Sequence, residues 1–416
     1  MADLKFKHGV TERFLRYVKI DTQSDPDSNT CPSTPKQKNL GKILVQELLD
    51  MGIADAHLDE FGYVYATVPS NSQKRVPVIC FCSHMDTSPD CTGEGVDPQV
   101  HRNYQGGDLV LPGDKTQVIK VSDHPELMNQ IGNDIVTTDG RTLLGADNKA
   151  GLAEIMDAAQ YLTDHPEIKH GAIRILFTPD EEIGRGVDKV DMKKLGADYG
   201  YTIDGETRGH IEDETFSADM VTVEVYGFST HPGFAKGKMQ SAVKIASQII
   251  GSLPRDKQSP ETTEKREGFF HPVSMSGTIE KMTLKFIIRD FRTEGLILLE
   301  EQLKAIVIKV LRFYPRASYD FKVTEQYRNM KVVLDEHPQV VRYAIEAVGR
   351  AGIKPHCSSI RGGTDGSRLS FMGLPCPNIF AGEHAFHSKQ EWISVQDMEK
   401  AAETIVHLSM IWEERA

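Results

Sequence analysis

The chain has 416 residues, of which 39% are hydrophobic and 26% are charged, so it can bury a large core and form two or more domains. Its 48 basic and 60 acidic residues give a formal net charge of −12, and no lysine- or arginine-rich run could neutralise a line of phosphates; this argues against a nucleic-acid partner. Polar residues interrupt every apolar run of the N-terminal segment, and no later window reaches the about 18 apolar residues of a membrane span. We therefore expect a cytoplasmic protein without a secretory signal or a membrane partner.

The six cysteines form neither a C-x-x-C pair nor a dense disulfide pattern, which favours reduced thiols. Cys80 and Cys82 lie two residues apart on a predicted strand and share one face of it, as two thiolate ligands of a metal could. Because free cysteine is commonly a small buried hydrophobic residue, we expect burial instead.

Short apolar runs alternate with amphipathic helical segments from the N-terminus to about Glu212. The apolar runs typical of strands cover 76–84, 171–178 and 199–204, and the clearest helical pattern between them covers 150–165. Strand, helix and strand at this spacing predict βαβ units. The expected fold is α/β, with a mostly parallel sheet flanked by helices.

The pattern changes after Glu212. Strict apolar–polar alternation predicts strands, and apolar residues at helical spacing predict two helices; the strands cover 219–228, 278–291 and 317–327, and the helices 240–253 and 294–314. This indicates a smaller α+β unit whose sheet has one covered face and one face free to meet a partner. From about Val332 the earlier pattern returns. We predict a discontinuous catalytic domain, residues 1–212 and 328–416, with an inserted domain at 213–327.

The segment TPDEEIGRG, Thr178 to Gly186, places three carboxylates side by side directly after an apolar run. Like charges this close cost free energy unless a cation or a raised pKa relieves them. Polar side chains, two of them from this run, stand at the ends of predicted strands or just before a helix: His84, Asp86, Asp147, Glu181, Glu182, Asp204 and His387. Because the C-terminal ends of parallel strands meet at one crevice, we expect these residues to converge.

Two histidines and several carboxylates are suitable ligands for zinc or another divalent first-row metal. The set is too large for one catalytic ion, whereas two ions about 3.5–4 Å apart that share a carboxylate would use all of it. One carboxylate of the acidic run can then bind metal while its neighbour takes a proton from water.

Five motifs in this order, SHMDT, GADNKAG, PDEEIGRG, TIDGE and GEHAFHSKQEW, resemble the M20 family of co-catalytic zinc peptidases. The segments RNYQGGDLVLPGD and SPETTEKREGF resemble the tripeptide aminopeptidase branch of that family. The resemblance implies two divalent metal ions per subunit, with zinc expected, and a general base. It assigns Asp147 as the bridge, His84 and Asp204 to one ion, Glu182 and His387 to the other, Glu181 as the base, and Asp86 as the residue that orients the imidazole of His84.

The resemblance also implies release of the N-terminal residue from tripeptides. Such a short substrate must be recognised at both ends, and arginine suits its C-terminal carboxylate; Arg289 and Arg361 are the candidates, although Arg289 could equally pair within the sheet of the inserted domain. His231 resembles the family histidine that stabilises the carbonyl oxyanion, in cis or from a second subunit. The inserted domain is accordingly expected to act as a lid and to form a homodimer.

Other functions are compatible with parts of this pattern. An M20-type dipeptidase or N-acyl amino acid deacylase would share every metal ligand. A catalytically silent metal-binding protein is disfavoured because Glu181 is intact, and a nucleotide-binding protein is disfavoured because no G-x-G-x-x-G or P-loop follows a strand. The loop RGGTDGS, 361–367, is expected to bind one end of the substrate, and His384 to lie in the pocket wall.

Overall fold

The computed structural model describes Leu4 and residues 6–416. The chain divides into two compact units. The larger unit comprises Met1–Asp213, Val332–Ser358 and Thr364–Ala416, and the smaller comprises Glu214–Lys331 and Ser359–Gly363. Among the described residues, no helix is both long enough and apolar enough to span a membrane.

The strands of the described residues are, in chain order, β1 (His57–Leu58), β2 (Val64–Val68), β3 (Ile79–His84), β4 (Gln99–His101), β5 (Leu109–Val110), β6 (Val118–Ile119), β7 (Ile135–Thr137), β8 (Ile173–Thr178), β9 (Tyr199–Gly205), β10 (His210–Thr215), β11 (Ser217–Tyr226), β12 (Phe269–Gly277), β13 (Lys281–Asp290), β14 (Ser318–Tyr327), β15 (His356–Ile360), β16 (Asn378–Phe380), β17 (Glu383–His384) and β18 (Trp392–Ser394).

The α-helices of the same residues are α1 (Val10–Tyr17), α2 (Gln37–Asp50), α3 (Ala146–Asp164), α4 (Met192–Leu195), α5 (Ala242–Gly251), α6 (Thr293–Leu311), α7 (Lys331–Leu334), α8 (Pro338–Arg350), α9 (Asp365–Phe371) and α10 (Val395–Glu414). Short 3-10 turns occur at Pro125–Gln130, Glu181–Ile183, Pro232–Phe234 and Pro260–Thr262.

The main sheet has the strand order β1-β2-β8-β3-β9-β16-β10-β15. Its central strands β8, β3, β9 and β16 run parallel to one another, and β2 and β10 flank them in the antiparallel direction. The predicted α/β fold with a mostly parallel central sheet is confirmed. A second sheet of the larger unit has the order β17-β18-β7-β4.

Both faces of the main sheet are buried, because successive side chains of β3 pack into different clusters. Phe81 packs in the cluster that includes Leu152 of α3 and Ile405 of α10. Cys80 and Cys82 pack in the opposite cluster, which includes residues of α4 and α9. All six cysteines are free thiols, and Cys80 and Cys82 are buried. The prediction that these two residues are buried hydrophobic residues is confirmed.

The smaller unit contains an antiparallel sheet with the order β12-β13-β11-β14. Val223 and Phe286 on one face of this sheet pack against Ile245 of α5 and Leu303 of α6. The opposite face carries partly exposed side chains, as the strict alternation predicted. This unit extends to Lys331 and includes Ser359–Gly363. Arg361 therefore lies in the smaller unit, although the segment 328–416 that contains it was predicted to belong to the catalytic domain. The lid and dimerisation roles stay predictions.

Candidate active site

The polar residues that the sequence placed at strand ends gather at one edge of the main sheet. His84 is the last residue of β3, and Asp204 precedes the last residue of β9. The turn that carries Glu181 and Glu182 follows β8. Because these three strands are parallel and adjacent, their C-terminal ends bring the side chains together. Asp147 joins them from the start of α3.

Asp147 lies between two histidines. Its Oδ1 is 2.8 Å from Nε2 of His84, and its Oδ2 is 3.1 Å from Nε2 of His387. Nε2 of His84 is also 3.4 Å from Oδ1 of Asp204, and Nε2 of His387 is 2.8 Å from Oε2 of Glu182. The result is two groups of three donors that share Asp147, each with its ligand atoms within 4.8 Å of one another.

Because these carboxyl groups are largely buried and close together, their ionisation depends on positive charge nearby. Burial alone would raise the pKa of Asp147, but hydrogen bonds from His387 and His84 outweigh burial and lower it. Burial and the carboxylate of Asp147 raise the pKa of Glu182 to about 8, against a hydrogen bond from His387. Acidic groups held this close in a buried place require positive charge for all of them to be ionised.

The donor set fits a pair of divalent cations. Each group offers one imidazole nitrogen and two carboxylates, a combination that zinc and related metals accept. Oε1 of Glu182 is buried and has no hydrogen-bond partner among the described residues, although a buried polar atom normally has one. A cation beside this oxygen would satisfy it.

Asp86 organises the acidic turn as well as the neighbouring histidine. Its fully buried carboxylate accepts hydrogen bonds from the backbone N–H groups of Glu181 at 3.0 Å and Glu182 at 3.2 Å. Its backbone carbonyl oxygen is 3.1 Å from Nδ1 of His84, and its Oδ1 is 3.4 Å from the same nitrogen. The interaction with His84 was predicted from the sequence, whereas the interaction with the turn was not.

The three carboxylates of the run Asp180–Glu182 have three different environments. Asp180 accepts hydrogen bonds from the backbone N–H and the hydroxyl of Ser33, at 2.7 and 2.5 Å, and from Nε2 of Gln37 at 2.7 Å. Glu182 belongs to a donor group. Hydrogen bonds from Ser33 and Gln37 therefore stabilise the carboxylate of Asp180, whereas the contact with His387 stabilises that of Glu182.

Glu181 belongs to neither donor group. Its side chain is 16% exposed, and its Oε2 is 4.0 Å from Nε2 of His84. Burial raises the pKa of Glu181 well above its usual range; the charge of His84 opposes this, and the carboxylates of Asp204 and Asp365 add to it. A carboxylate with a raised pKa beside the donor groups is suited to accept a proton from water.

Comparison with known proteins identifies the family. The sequence model of a family described as Peptidase family M20/M25/M40 matches residues 137–410. Peptidase T of Geobacillus sp. (strain WCH70) is 47% identical over 410 residues, covering 99% of this chain and 100% of its own. Peptidase T of Clostridium acetobutylicum is 48% identical over 410 residues, covering 98% of this chain and 99% of its own. The chain belongs to the M20 peptidase family.

Solved M20-like structures share the fold. Aminopeptidase PepT from Bacillus cereus has a TM-score of 0.73 at 23% identity, covering 97% of this chain and 98% of its own. YXEP from Bacillus subtilis, described as a dinuclear metal binding peptidase from the M20 family, has a TM-score of 0.63 at 14% identity and covers 98% of both chains. At these identities the likeness supports the fold alone.

The three predicted substrate-binding residues of this M20 peptidase all lie in its smaller unit. His231 is exposed, and its Nδ1 accepts a hydrogen bond from the backbone N–H of Gly233 at 3.2 Å. Arg289 donates from Nη1 to the carbonyl oxygen of Ile288 at 3.0 Å, and its guanidinium carbon lies 5.4 Å from the ring centre of Tyr327.

Arg361 uses much of its guanidinium within the smaller unit. Nη1 donates to the carbonyl oxygens of Lys265 at 2.8 Å and Glu267 at 3.2 Å, and Nη2 donates to Oγ1 of Thr263 at 2.9 Å. The guanidinium carbon also lies 5.1 Å from the ring centre of Phe216. Arg361 therefore holds the loop 263–267, a contact that sequence analysis did not anticipate.

Sequence reasoning missed two buried carboxylates near the site, Asp365 and Glu391. Oδ2 of Asp365 accepts a hydrogen bond from Oγ1 of Thr178 at 2.6 Å. Burial raises the pKa of Glu391 to about 7, while hydrogen bonds from backbone N–H groups act in the opposite direction. Both residues stand within motifs of the sequence, RGGTDGS and GEHAFHSKQEW. His384, expected in the pocket wall, is buried with its ring stacked on Trp392 at 4.2 Å.

Proposed function

We propose that this M20 peptidase is a cytoplasmic, metal-dependent aminopeptidase that releases the N-terminal residue from tripeptides. The observation that carries the proposal is the position of Asp147, which offers one carboxylate oxygen to each of two three-donor groups while Glu181 stays outside both groups. Relatives 47% and 48% identical over nearly the whole chain are called Peptidase T, which supports the same activity.

The two donor groups would each hold one divalent cation, with zinc expected first. His84 and Asp204 would hold one ion, Glu182 and His387 the other, and Asp147 would contact both. When bound, such a pair polarises the scissile carbonyl and makes a water molecule acidic enough to react near neutral pH.

The protein's own groups then handle the proton and the orientation of the site. Glu181 accepts the proton of the attacking water and returns it to the leaving amine. Asp86 holds the turn of Glu181 through two backbone hydrogen bonds, and it orients the imidazole of His84. The low exposure of these side chains limits competing water and strengthens the electrostatic contacts.

Substrate recognition in this proposal belongs to the smaller unit. Arg289 and Arg361 bind the C-terminal carboxylate of the tripeptide, and His231 stabilises the oxyanion that forms at the scissile carbonyl. Two copies of the chain pair through the partly exposed face of the small sheet and form a homodimer.

A panel of free peptides of two to five residues, assayed with and without a chelator, tests the function. We expect N-terminal release to be fastest from tripeptides, to disappear with EDTA and to return with Zn²⁺, Mn²⁺ or Co²⁺. An acetylated amino acid and a dipeptide serve as controls, and preferential cleavage of either would identify a deacylase or a dipeptidase instead. Tripeptide cleavage that persists after complete metal removal would reject the metal-dependent mechanism.

A further inference from the structure

Glu391 is a buried carboxylate that binds the backbone just before and at Asp147. It is 1% exposed. Its Oε2 accepts hydrogen bonds from the N–H groups of Leu144 at 2.7 Å and Gly145 at 2.8 Å, and its Oε1 accepts one from the N–H of Asp147 at 3.0 Å. Hydrogen bonds from N–H groups to a carboxylate are stronger than those between neutral groups. One side chain thus satisfies three backbone donors of this turn.

The backbone at Asp147 needs such a contact because it is not helical. Although α3 begins at Ala146, Asp147 has φ −77° and ψ 105°, outside the helical region. Helical geometry therefore does not set the direction in which its side chain leaves the backbone. The hydrogen bond from its N–H to Glu391 limits rotation of the peptide unit that carries the shared carboxylate.

The same loop supplies both Glu391 and His387. It connects β17 to β18, and within it the hydroxyl of Ser388 donates to the carbonyl oxygen of Ala385 at 2.6 Å. His387 contacts the carboxylate of Asp147 from this loop, and Glu391 contacts its backbone. Asp147 is therefore attached at two points to one loop that lies more than 200 residues away in sequence.

We propose that Glu391 is a positioning residue that sets the orientation of the Asp147 carboxylate and thereby the affinity of the metal pair. The inference rests on the proposed function, which assigns Asp147 to both ions. Glu391 itself contacts neither substrate nor metal in this proposal. Loss of residues that hold metal ligands in place typically weakens metal binding by about 10- to 100-fold.

A purely structural role for Glu391 is the competing explanation, and Asp397 provides a matched control. Asp397 is also fully buried; its carboxylate accepts a hydrogen bond from Nε2 of Gln130 at 2.7 Å, and its Oδ1 forms an ion pair with Nη1 of Arg208 at 2.9 Å. Its replacement should lower stability without moving a metal ligand. Comparing the two variants separates loss of folding from loss of ligand orientation.

The experiment compares wild type, Glu391→Gln and Asp397→Asn after metal removal, at pH 8. Zn²⁺ affinity is measured by competition with a chromogenic chelator, the coordination of bound Co²⁺ by its visible absorption, and folding by the unfolding midpoint of the metal-free protein. Glutamine offers one acceptor oxygen and turns its own N–H groups toward backbone N–H groups, so it cannot satisfy the turn. We expect Glu391→Gln to weaken Zn²⁺ binding about 10- to 100-fold and to alter the Co²⁺ spectrum, whereas Asp397→Asn leaves both unchanged.

Zn²⁺ affinity and a Co²⁺ spectrum equal to those of wild type in folded Glu391→Gln would overturn the proposal. So would equal losses of affinity in Glu391→Gln and Asp397→Asn at equal destabilisation. If Glu391→Gln does not fold, Glu391→Asp is used, since it keeps the charge but is too short to reach all three N–H groups; it should weaken binding, and unchanged binding overturns the proposal. Failure of the wild-type protein to bind Zn²⁺ or Co²⁺ would instead refute the proposed function on which the inference rests.

Discussion

The carboxylate of Asp86 accepts a hydrogen bond from the backbone N–H of Glu181 at 3.0 Å, across 95 residues of sequence. The turn that carries the proposed base is therefore held by a residue of a different strand end. The same carboxylate accepts a hydrogen bond from the backbone N–H of Glu182. Asp86 therefore holds the backbone of both the proposed base and a proposed metal ligand. An arrangement of this kind fixes the turn before substrate binds, which favours catalysis.

Asp86→Asn should therefore lower activity without unfolding the protein. An amide offers one acceptor oxygen where the carboxylate offers two, so one of the two backbone N–H groups loses its partner. We expect kcat on a tripeptide to fall about 10- to 100-fold, with Zn²⁺ affinity reduced as well because His84 is held less firmly. Steady-state kinetics at saturating Zn²⁺ and chelator competition measure the two effects.

Asp59→Asn is the control for this substitution. Oδ1 of Asp59 accepts hydrogen bonds from the backbone N–H groups of Phe61 at 3.0 Å and Tyr63 at 2.9 Å. Both aspartates accept hydrogen bonds from two backbone N–H groups, but Asp59 does so with one oxygen, which asparagine keeps, and no proposed ligand is involved. Equal losses of kcat in both variants would show that Asp86 acts through general stability alone.

Glu181→Ala should keep both metal ions and lose turnover. The side chain belongs to neither donor group, and general base catalysis by a positioned side chain contributes about 10²- to 10⁴-fold. We expect kcat to fall by that factor while the metal content, measured by atomic absorption after dialysis, stays at the wild-type value.

Glu182→Ala is the matched comparison, since the neighbouring residue contacts His387 at 2.8 Å as part of a donor group. It should lose metal as well as activity. A Glu181→Ala variant with wild-type kcat would remove Glu181 from the role of base.

The two arginines should differ in what their removal does to folding. Arg361 donates to three groups of the loop 263–267, whereas Arg289 donates to the carbonyl oxygen of its neighbour Ile288. Arg361→Ala should therefore lower the unfolding midpoint of the protein, and Arg289→Ala should change it little.

Both substitutions should raise KM for free tripeptides more than for C-terminally amidated ones. A hydrogen bond to a charged group contributes about 1.5–3 kcal/mol, so the KM ratio between the two substrates should change about 10- to 100-fold. Arg328→Ala is the control, because its guanidinium pairs with Asp219 at 2.8 Å within the same unit. Equal KM increases on free and amidated substrates would remove that arginine from carboxylate recognition.

Much of the fold and the convergence of the donor groups could be predicted because both follow from simple periodicities. Alternation in β11 and β13 indicated a sheet covered on one face, and apolar runs ending in polar residues indicated parallel strands that meet at one edge. His84 and Asp204 stand at such ends. The acidic run predicted one metal ligand beside one base, whereas the assignment of these roles to Glu182 and Glu181 came from the resemblance to the M20 family.

The hydrogen bonds that hold the site residues in place could not be predicted, because a carboxylate that accepts hydrogen bonds from distant backbone N–H groups produces no regular spacing in the sequence. Asp180 binds Ser33 and Glu391 binds Leu144, and both pairs form only once distant segments fold together. The use of Arg361 inside the smaller unit depends likewise on where the loop 263–267 lies. An arginine in a motif identifies a charge, but its hydrogen-bond partners are decided by tertiary structure.

The N-terminal segment should make stability depend on pH through His8. Nδ1 of His8 is 3.1 Å from Oδ2 of Asp157, and its Nε2 is 3.6 Å from Oε1 of Glu403. Burial alone would lower the pKa of His8, but the hydrogen bond to Asp157 and the nearby carboxylate of Glu403 outweigh burial and raise it to about 9. Since the folded pKa lies above the unfolded value of about 6.5, protonated His8 stabilises the fold. This contribution is complete below about pH 6.5 and is lost as the pH rises through about 9.

His8→Asn should consequently lower the unfolding midpoint at pH 6 and have little effect at pH 9.5, apart from any pH-independent packing loss. After allowance for partial solvent screening, we expect the pH-dependent part to be about 1–2 kcal/mol. Urea unfolding of wild type and variant at the two pH values measures it. His165→Asn is the control, because His165 pairs with the exposed Glu167 at 2.8 Å and solvent screens a surface pair of this kind, so it contributes little to stability. A destabilisation by His8→Asn that is equal at both pH values would show that His8 acts through packing and not through its charge.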